Sequence, residues 1–551
     1  FRKTVRRYRK DKKGKFMIIK SRCIFDGVSP EPYEGYVAIK ENKIHSVLKG
    51  DSIPVRLRND EEVLDVGNRT VMAGFCDNHV HIFLAALDLT TCSLRDCESE
   101  EEAAKRLADF YKNRKDKWVI GFGWCNYDWA NQELPSKETL DKYFGGRPVM
   151  LINDELHALW VNSKALELCG IDKYTENPQY GEIYRDEKGE PTGYILEQSA
   201  MRLFTDIALD YTEEEEKGLI KTFVKEAHKK GVTSVGDMEI IGIMKSDIYK
   251  ALECEKELKV RVFFSPSIQK PLDEFIELKG NFDSDNLSLL GAKGFIDGTP
   301  LGHTGLMIDD YKDMPGFKGE PVLHLAELRN KVEQLNGEGI PVRLHACGDG
   351  AVREALDDIE KANHNRGLEN VRNTIEHIEC LHPDDIGRFA KSGTIASIQP
   401  NHMTMNSMEE HPIFDILGQK RSELSWPAKT LSRSGACVAL GTDCPIVPLE
   451  PMMTLYCAIN RVMEDGSPQG GWNPKEKYTV QEALKGVTVN NAYLFKMEDK
   501  IGTLESGKYA DIVVLSEDIF KKDVLDILDI KVDITVWNGE KVYERKGGEH
   551  E

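Results

Sequence analysis

The sequence predicts an α/β protein: a (β/α)8 TIM barrel with a β-sandwich domain built from both termini and a large insertion after barrel strand 1. Three observations lead there. Apolar strand-like runs alternate with helical periods through the middle of the chain, both ends carry short β-like pieces, and one interval between runs is far too long for a barrel repeat. Strand and helix in repeated alternation build a parallel sheet. No Gly-rich dinucleotide loop follows the first run, which favours a barrel over an open doubly wound sheet.

The candidate strands are Val71–Asp77, Val232–Asp237, Val260–Phe264, Leu289–Ile296, Pro341–His345, Arg372–His377, Thr394–Gln399 and Ala436–Thr442. Between them, Leu328, Val332 and Leu335 recur at helical spacing, as do Val352, Leu356 and Ile359. The barrel is therefore expected over residues 71–499. Residues 17–70 and 500–545 alternate in the manner of exposed strands, and Asn538-Gly539 between apolar runs signals a hairpin, because a type I′ turn needs positive φ at both positions. About residues 90–210 form the insertion, a lid or substrate wall, with strands over Lys117–Trp124 and Pro148–Asn153 and a hairpin from Gly181. Residues 1–16 hold nine Lys or Arg and one Asp without an apolar stretch, and are read as a basic extension outside the fold.

Composition narrows the class. A chain of 551 residues with 40% hydrophobic content can bury a large core, so it is not expected to be disordered. No run of about 18 apolar residues occurs, so no membrane helix is expected. The net charge of −20 disfavours a phosphate backbone, leaving a small-molecule substrate as the expected partner and a homodimer as the commonest assembly. Twelve cysteines without regular spacing read as reduced thiols, hence a cytoplasmic location.

Ligand-type residues close the apolar runs. In Phe75-Cys-Asp-Asn-His79-Val-His81 the two imidazoles stand at i and i+2, on one face of a strand. Alone, that pair fits a metal or two histidines near a turn equally well. His345 closes Val342-Arg-Leu-His345, His377 closes Thr374-Ile-Glu-His377, and Asp443 closes Val438-Ala-Leu-Gly-Thr-Asp443. Catalytic groups of barrels sit at such strand ends. Lys293 lies inside an apolar strand, where burial lowers its pKa and leaves a neutral amine able to add carbon dioxide as a carbamate. Pairing with Asp297, or reaching solvent, is the plainer alternative for it.

These motifs, with His157-Ala-Leu-Trp-Val-Asn162, Gly294-Phe-Ile-Asp-Gly298, His345-Ala-Cys-Gly-Asp349, Gln399-Pro-Asn-His402, Gly441-Thr-Asp-Cys-Pro445 and Ile501-Gly-Thr-Leu-Glu-Ser-Gly-Lys-Tyr-Ala-Asp511, appear in order along the chain. On them the sequence resembles the amidohydrolase superfamily, in the branch containing N-substituted formamide deformylases and related uncharacterised metal-dependent hydrolases. The likeness runs from Met17 to about Glu544. It implies the barrel and terminal sandwich, and a metal site with His79, His81 and Asp443 on one ion. A carbamate on Lys293 would bridge to a second ion held by His345 and His377. Zn is the first expectation; Mn, Fe, Co and Ni suit the same donors. Two departures stand out: His303 and Gly350 occupy positions where the branch usually carries Arg, which removes two guanidiniums from the mouth loops.

The expected reaction is hydrolysis of a non-peptide C–N bond, amide or N-acyl/N-formyl, by a metal-activated water, with Asp443 moving the proton. His157, Asn162, Trp124, His303 and His402 are the expected substrate contacts, although Trp124 and Trp160 suit core packing better. Cys76, Cys347 and Cys444 are expected to pack rather than attack. The alternative is a mononuclear-metal deaminase of an amino-heterocycle, disfavoured because His345-Ala-Cys-Gly348 lacks the Glu that such deaminases carry three residues after this His.

Overall fold

A computed structural model describes residues 16–51, 61–366 and 371–546. Nearly all of the basic stretch 1–16 lies outside the described residues. No helix among the described residues is long and apolar enough to cross a membrane.

The two ends of the chain meet in one sheet. Strands Phe16–Phe25, Tyr33–Lys40, Lys43–Lys49, Glu61–Asp65 and Thr70–Ala73 are joined by Ile512–Leu515, Val532–Trp537 and Glu540–Glu544. Where two facing sheets are expected, hydrogen bonding links all eight strands, because Thr70–Ala73 pairs with Phe16–Phe25 on one side and with Ile512–Leu515 on the other. The Asn538-Gly539 hairpin forms as predicted, with φ of 51° and 80°.

The predicted run Val71–Asp77 is two strands. It divides at Gly74, whose N–H donates to the Asp511 carbonyl and where a Cβ would meet the Thr233 side chain at 2.4 Å. Beyond Gly74 the chain leaves the terminal sheet and enters the central parallel strands: β1 (Phe75–Val80), β2 (Val232–Met238), β3 (Arg261–Ser265), β4 (Leu287–Leu289), β5 (Ala292–Phe295), β6 (Val342–Ala346), β7 (Thr374–His377), β8 (Ile395–Ile398) and β9 (Val438–Leu440). The predicted strand Leu289–Ile296 is likewise split, into β4 and β5.

These nine strands make two arcs, β1–β4 and β5–β9, each parallel throughout. The arcs touch at two seams. At one, Val80 bridges Cys444, the Asp443 N–H donates to His79 O and the His81 N–H to Cys444 O, each at 2.8 Å. At the other, Ser267 bridges Lys293, whose backbone exchanges hydrogen bonds with Pro266 and Ile268. Helices cover the arcs, and Leu328, Val332, Leu335, Val352, Leu356 and Ile359 are buried beneath them. A parallel sheet covered in this way reads as continuous apolar runs, which is why its strands are legible.

The segment after β1 builds a six-stranded sheet of its own, including Val119–Trp124, Val149–Asn153 and the hairpin Glu182–Arg185/Pro191–Leu196. Its strands alternate between two cores. Val119, Trp124, Val149 and Leu151 pack in a separate cluster with Trp129 and Trp160, while Ile120, Phe122, Met150 and Ile152 join the main core.

The terminal sheet is locked to β3 by one buried ion pair. Arg261 Nε donates to Asp511 Oδ2 at 2.8 Å, and both side chains are almost fully buried. Removing one partner of such a pair leaves an uncompensated charge. Arg261→Met is expected to cost about 3–5 kcal/mol in urea unfolding, and adding Asp511→Leu to recover most of that. Equal loss in the single and double variants would show that the pair does not carry this contact.

Candidate metal centre

His79 and His81 end β1 at the seam with Asp443, and their ring orientations follow from their acceptors. His79 Nδ1 lies 2.8 Å from Glu376 Oε2, and His81 Nδ1 lies 2.8 Å from the Met238 carbonyl. Neither a carboxylate nor a carbonyl can donate, so each Nδ1 carries a proton and each ring turns its Nε2 to the cavity. The two Nε2 atoms face Asp443 Oδ1, at 3.4 Å from His79 and 3.0 Å from His81. Burial pulls His79 down to about 4, with the nearby Lys293 charge adding to the effect, so its ring is neutral near pH 7. Burial of Asp443 works against its charge, but the histidines around it outweigh that and hold its carboxyl below the usual range. Two ring nitrogens and a carboxylate oxygen therefore converge on one point.

A second group lies beside the first. His345 and His377 end β6 and β7 with ring centroids 4.2 Å apart. Both are kept neutral chiefly by burial. His377 Nε2 is buried and has no hydrogen-bond partner. Ligand atoms of His345, Cys347 and His377 fall within 4.8 Å of one another, as do those of His79, His377 and Asp443. His377 and Asp443 both adopt positive φ, 76° and 69°, a costly backbone for side-chain-bearing residues that tends to mark functional sites. Lys293, 2% exposed, places Nζ 3.3 Å from His79 Nε2, and burial lowers it to about 8.

All these side chains line one cavity of about 330 Å3. Converging neutral imidazoles, an ionised carboxylate and an orphaned buried Nε2 are what a divalent cation would satisfy, so the residues present fit a metal.

The sequence profile of the amidohydrolase family matches residues 62–543. The chain belongs to the amidohydrolase family. Among its relatives, the Arabidopsis thaliana protein LONG AFTER FAR-RED 3 is 29% identical, the alignment covering 92% of this chain and 89% of the relative. N-substituted formamide deformylase of Arthrobacter pascens is 26% identical over 89% of this chain and 91% of its own. Among solved structures, an uncharacterised metal-dependent hydrolase from Pyrococcus furiosus superposes with a TM-score of 0.73 at 27% identity, covering 93% of this chain and all of that one.

Within this amidohydrolase, the predicted substrate contacts divide. His157 and His402 line the cavity. Burial disfavours charge on His157, but Glu197, 3.1 Å from its Nδ1, outweighs that and raises it to about 9. His402 Nε2 stands 3.8 Å from Asp443 Oδ2. The other three lie elsewhere. Asn162 is a helix N-cap, accepting from Ala165 N and Val149 N and donating to Arg147 O, so its amide is spent inside the insertion. Trp124 is buried against Trp129, Trp160 and Tyr194, with Nε1 on Leu151 O. His303 turns from the cavity to Asp313 in its own loop, at 2.8 Å.

Gly350, the other departure, is pressed against the loop after Gly298: a Cβ there would meet Leu306 O at 2.8 Å. Sequence reasoning missed Glu379, which is buried, lines the cavity and shares β7's end with His377; the spacing His377-Ile-Glu379 is the signal. Cys347, expected only to pack, lines the cavity beside His345, with Sγ 3.3 Å from Nε2; His345-Ala-Cys347 has the spacing of His79-Val-His81.

Burial, with Asp297 and Glu155 nearby, pushes Glu379 up to about 8 from the ordinary 4.5. The folded state then binds a proton that the unfolded state releases, so this group's contribution to stability falls as pH rises from about 4.5 to about 8. In chelator-stripped protein, Glu379→Gln should remove that slope, gaining on the wild type by up to about 1.4 kcal/mol per pH unit in the window. Parallel stability–pH curves for the two proteins would mean that Glu379 is ionised throughout.

Proposed function

We propose that this amidohydrolase is a metal-dependent hydrolase of a non-peptide C–N bond, amide or N-acyl/N-formyl, in a small molecule. The observation that carries it is the convergence of ligand atoms of His79, His81, His377 and Asp443 on one cavity, with His377 Nε2 orphaned. The similarity to N-substituted formamide deformylase supports the N-acyl and N-formyl classes. We read the two arcs as one (β/α)8 barrel over residues 71–499, with the donors at its mouth and the insertion of residues 90–210 as wall. Residues 17–70 with 500–545 are the terminal domain.

His79, His81 and Asp443 would hold one divalent ion, Zn as first expectation, and His345 and His377 a second. Lys293, buried beside His79, would bridge them as a carbamate, formed when its neutral amine attacks carbon dioxide and loses a proton. Such ions acidify water toward a pKa of ~7 and withdraw charge from a carbonyl oxygen. The protein's own groups do the rest. Asp443, ionised, accepts a proton from the attacking water and returns it to the departing nitrogen. His157, held cationic by Glu197, offers a donor to the substrate, and His402 lines the cavity beside Asp443. Glu376 keeps the His79 ring in place through Nδ1. The buried neighbourhood of Lys293 disfavours the deaminase alternative, which gives that residue no task.

Screening N-formyl and N-acyl compounds should find a substrate whose turnover is abolished by chelation and restored by Zn or Co. Asp443→Asn should then lower kcat by about 10²–10⁴-fold. Lys293→Ala should reduce metal content, measured by plasma emission, from about two ions per chain to one or fewer. Chelation-resistant turnover would sink the metal-dependent reading, and one ion per chain in both proteins would remove the bridge.

A further inference from the structure

We propose that Cys347 is a protein ligand to the metal held by His345 and His377, making that position a His2Cys site; this rests on the metal-dependent reading above. Cys347 leaves β6 two residues after His345, so both side chains reach the same face, as His79 and His81 do from β1. Cys347 Sγ lies 3.3 Å from His345 Nε2, which also faces the Gly298 carbonyl at 3.3 Å and would exchange that contact for the ion. In a tetrahedral zinc site with Zn–S near 2.3 Å and Zn–N near 2.0–2.1 Å, the sulfur–nitrogen edge is about 3.5 Å. The two atoms thus already stand at ligand spacing.

The third corner is independent of the cysteine. His377 comes from another strand, its donor falls within the same 4.8 Å group, and its Nε2 is buried without a partner. The backbone behind Cys347 is pinned: its N–H donates to Asp297 Oδ1 at 3.0 Å and the Gly348 N–H to Asp297 Oδ2 at 2.8 Å. Asp297 thus holds the backbone from which the sulfur projects.

Ligation would break the S–H bond, pass the proton to solvent and give the sulfur electron pair to the metal, one proton released per ion bound there. With the Lys293 carbamate of the proposed function these make four protein ligands, so water or substrate would enter as a fifth. A thiolate also makes this position softer than the His79, His81 and Asp443 position, so it favours Zn or Co over Mn or Mg.

The test loads the metal-stripped full chain with Co(II). The wild type should show a thiolate-to-cobalt charge-transfer band in the near ultraviolet, absent from Cys347→Ser and kept in Cys444→Ser, the control for the thiol next to Asp443. Cobalt affinity at this position should fall at least 10-fold in Cys347→Ser, since losing even an outer partner of a ligand costs about 10–100-fold. X-ray absorption of zinc-loaded wild type should find sulfur at about 2.3 Å, a readout that needs no variant to fold. Bound metal with only nitrogen and oxygen neighbours, or a band that survives Cys347→Ser, would overturn the Cys347 ligand and leave the proposed function standing. A chain that binds no metal at all would overturn both.

Discussion

Glu376 is the group on which the centre depends. It is fully buried, and it accepts from Arg343 Nε at 2.7 Å through one oxygen and from His79 Nδ1 at 2.8 Å through the other. Burial works against its charge, yet Arg343 and His79 outweigh it and hold the carboxyl well below its ordinary range. Arg343 in turn reaches Asn78 Oδ1, which also accepts from Ser397, while Asn78 Nδ2 donates to Asn491. One polar chain thereby links β1, β6, β7, β8 and the helix Val489–Leu494. Among the described residues, Arg343 Nη1 is the member of this network left without a partner. β2 makes room for the network with Gly236, where a Cβ would strike Asn78 O at 2.2 Å.

That network fixes one tautomer of His79, and the tautomer decides what the cavity can bind. The seams between the arcs carry the same logic. Asp443 stands at one and Lys293 at the other, each held by backbone hydrogen bonds to the opposite arc. A second carboxylate supports the first seam: Asp77 accepts from the Thr442 hydroxyl at 2.7 Å and from its N–H at 3.0 Å, so the residue before Asp443 is tied to the strand that carries His79. The side chains that converge in the cavity are placed by the pairing that joins the arcs.

Much of this was legible in the sequence, for physical reasons. Fully covered parallel strands give unbroken apolar runs, and a charged or imidazole residue at the end of such a run has few structural excuses; His79, His81, His345, His377 and Asp443 were found that way, Lys293 as a lysine inside such a run, and all line the cavity. What was not legible depended on partners distant in the chain, or on local roles that imitate chemistry. Asn162 looks like a site residue in a motif, but an Asn before a short helix is also a cap. Trp124 lies on a strand buried on both faces, where an aromatic packs. His303 cannot be told from a mouth residue until Asp313 folds against it. The breaks at Gly74 and within Leu289–Ile296 leave the apolar run intact, because both halves are buried in different sheets. The joining of eight terminal strands into one sheet rests on which edges meet, and hydropathy does not encode that.

The pairing of Thr70–Ala73 with Ile512–Leu515 has a consequence for how the chain is made. Between those partners the whole central region must leave the ribosome, at about 5–20 residues per second, a wait of tens of seconds. Through that wait Thr70–Ala73 has its Phe16–Phe25 neighbour on one side and bare N–H and C=O groups on the other. An open apolar edge of that kind is a template for other nascent chains. Ile512–Leu515 closes it, so a chain released before that strand would keep most of its donor residues and lose its protection against self-association.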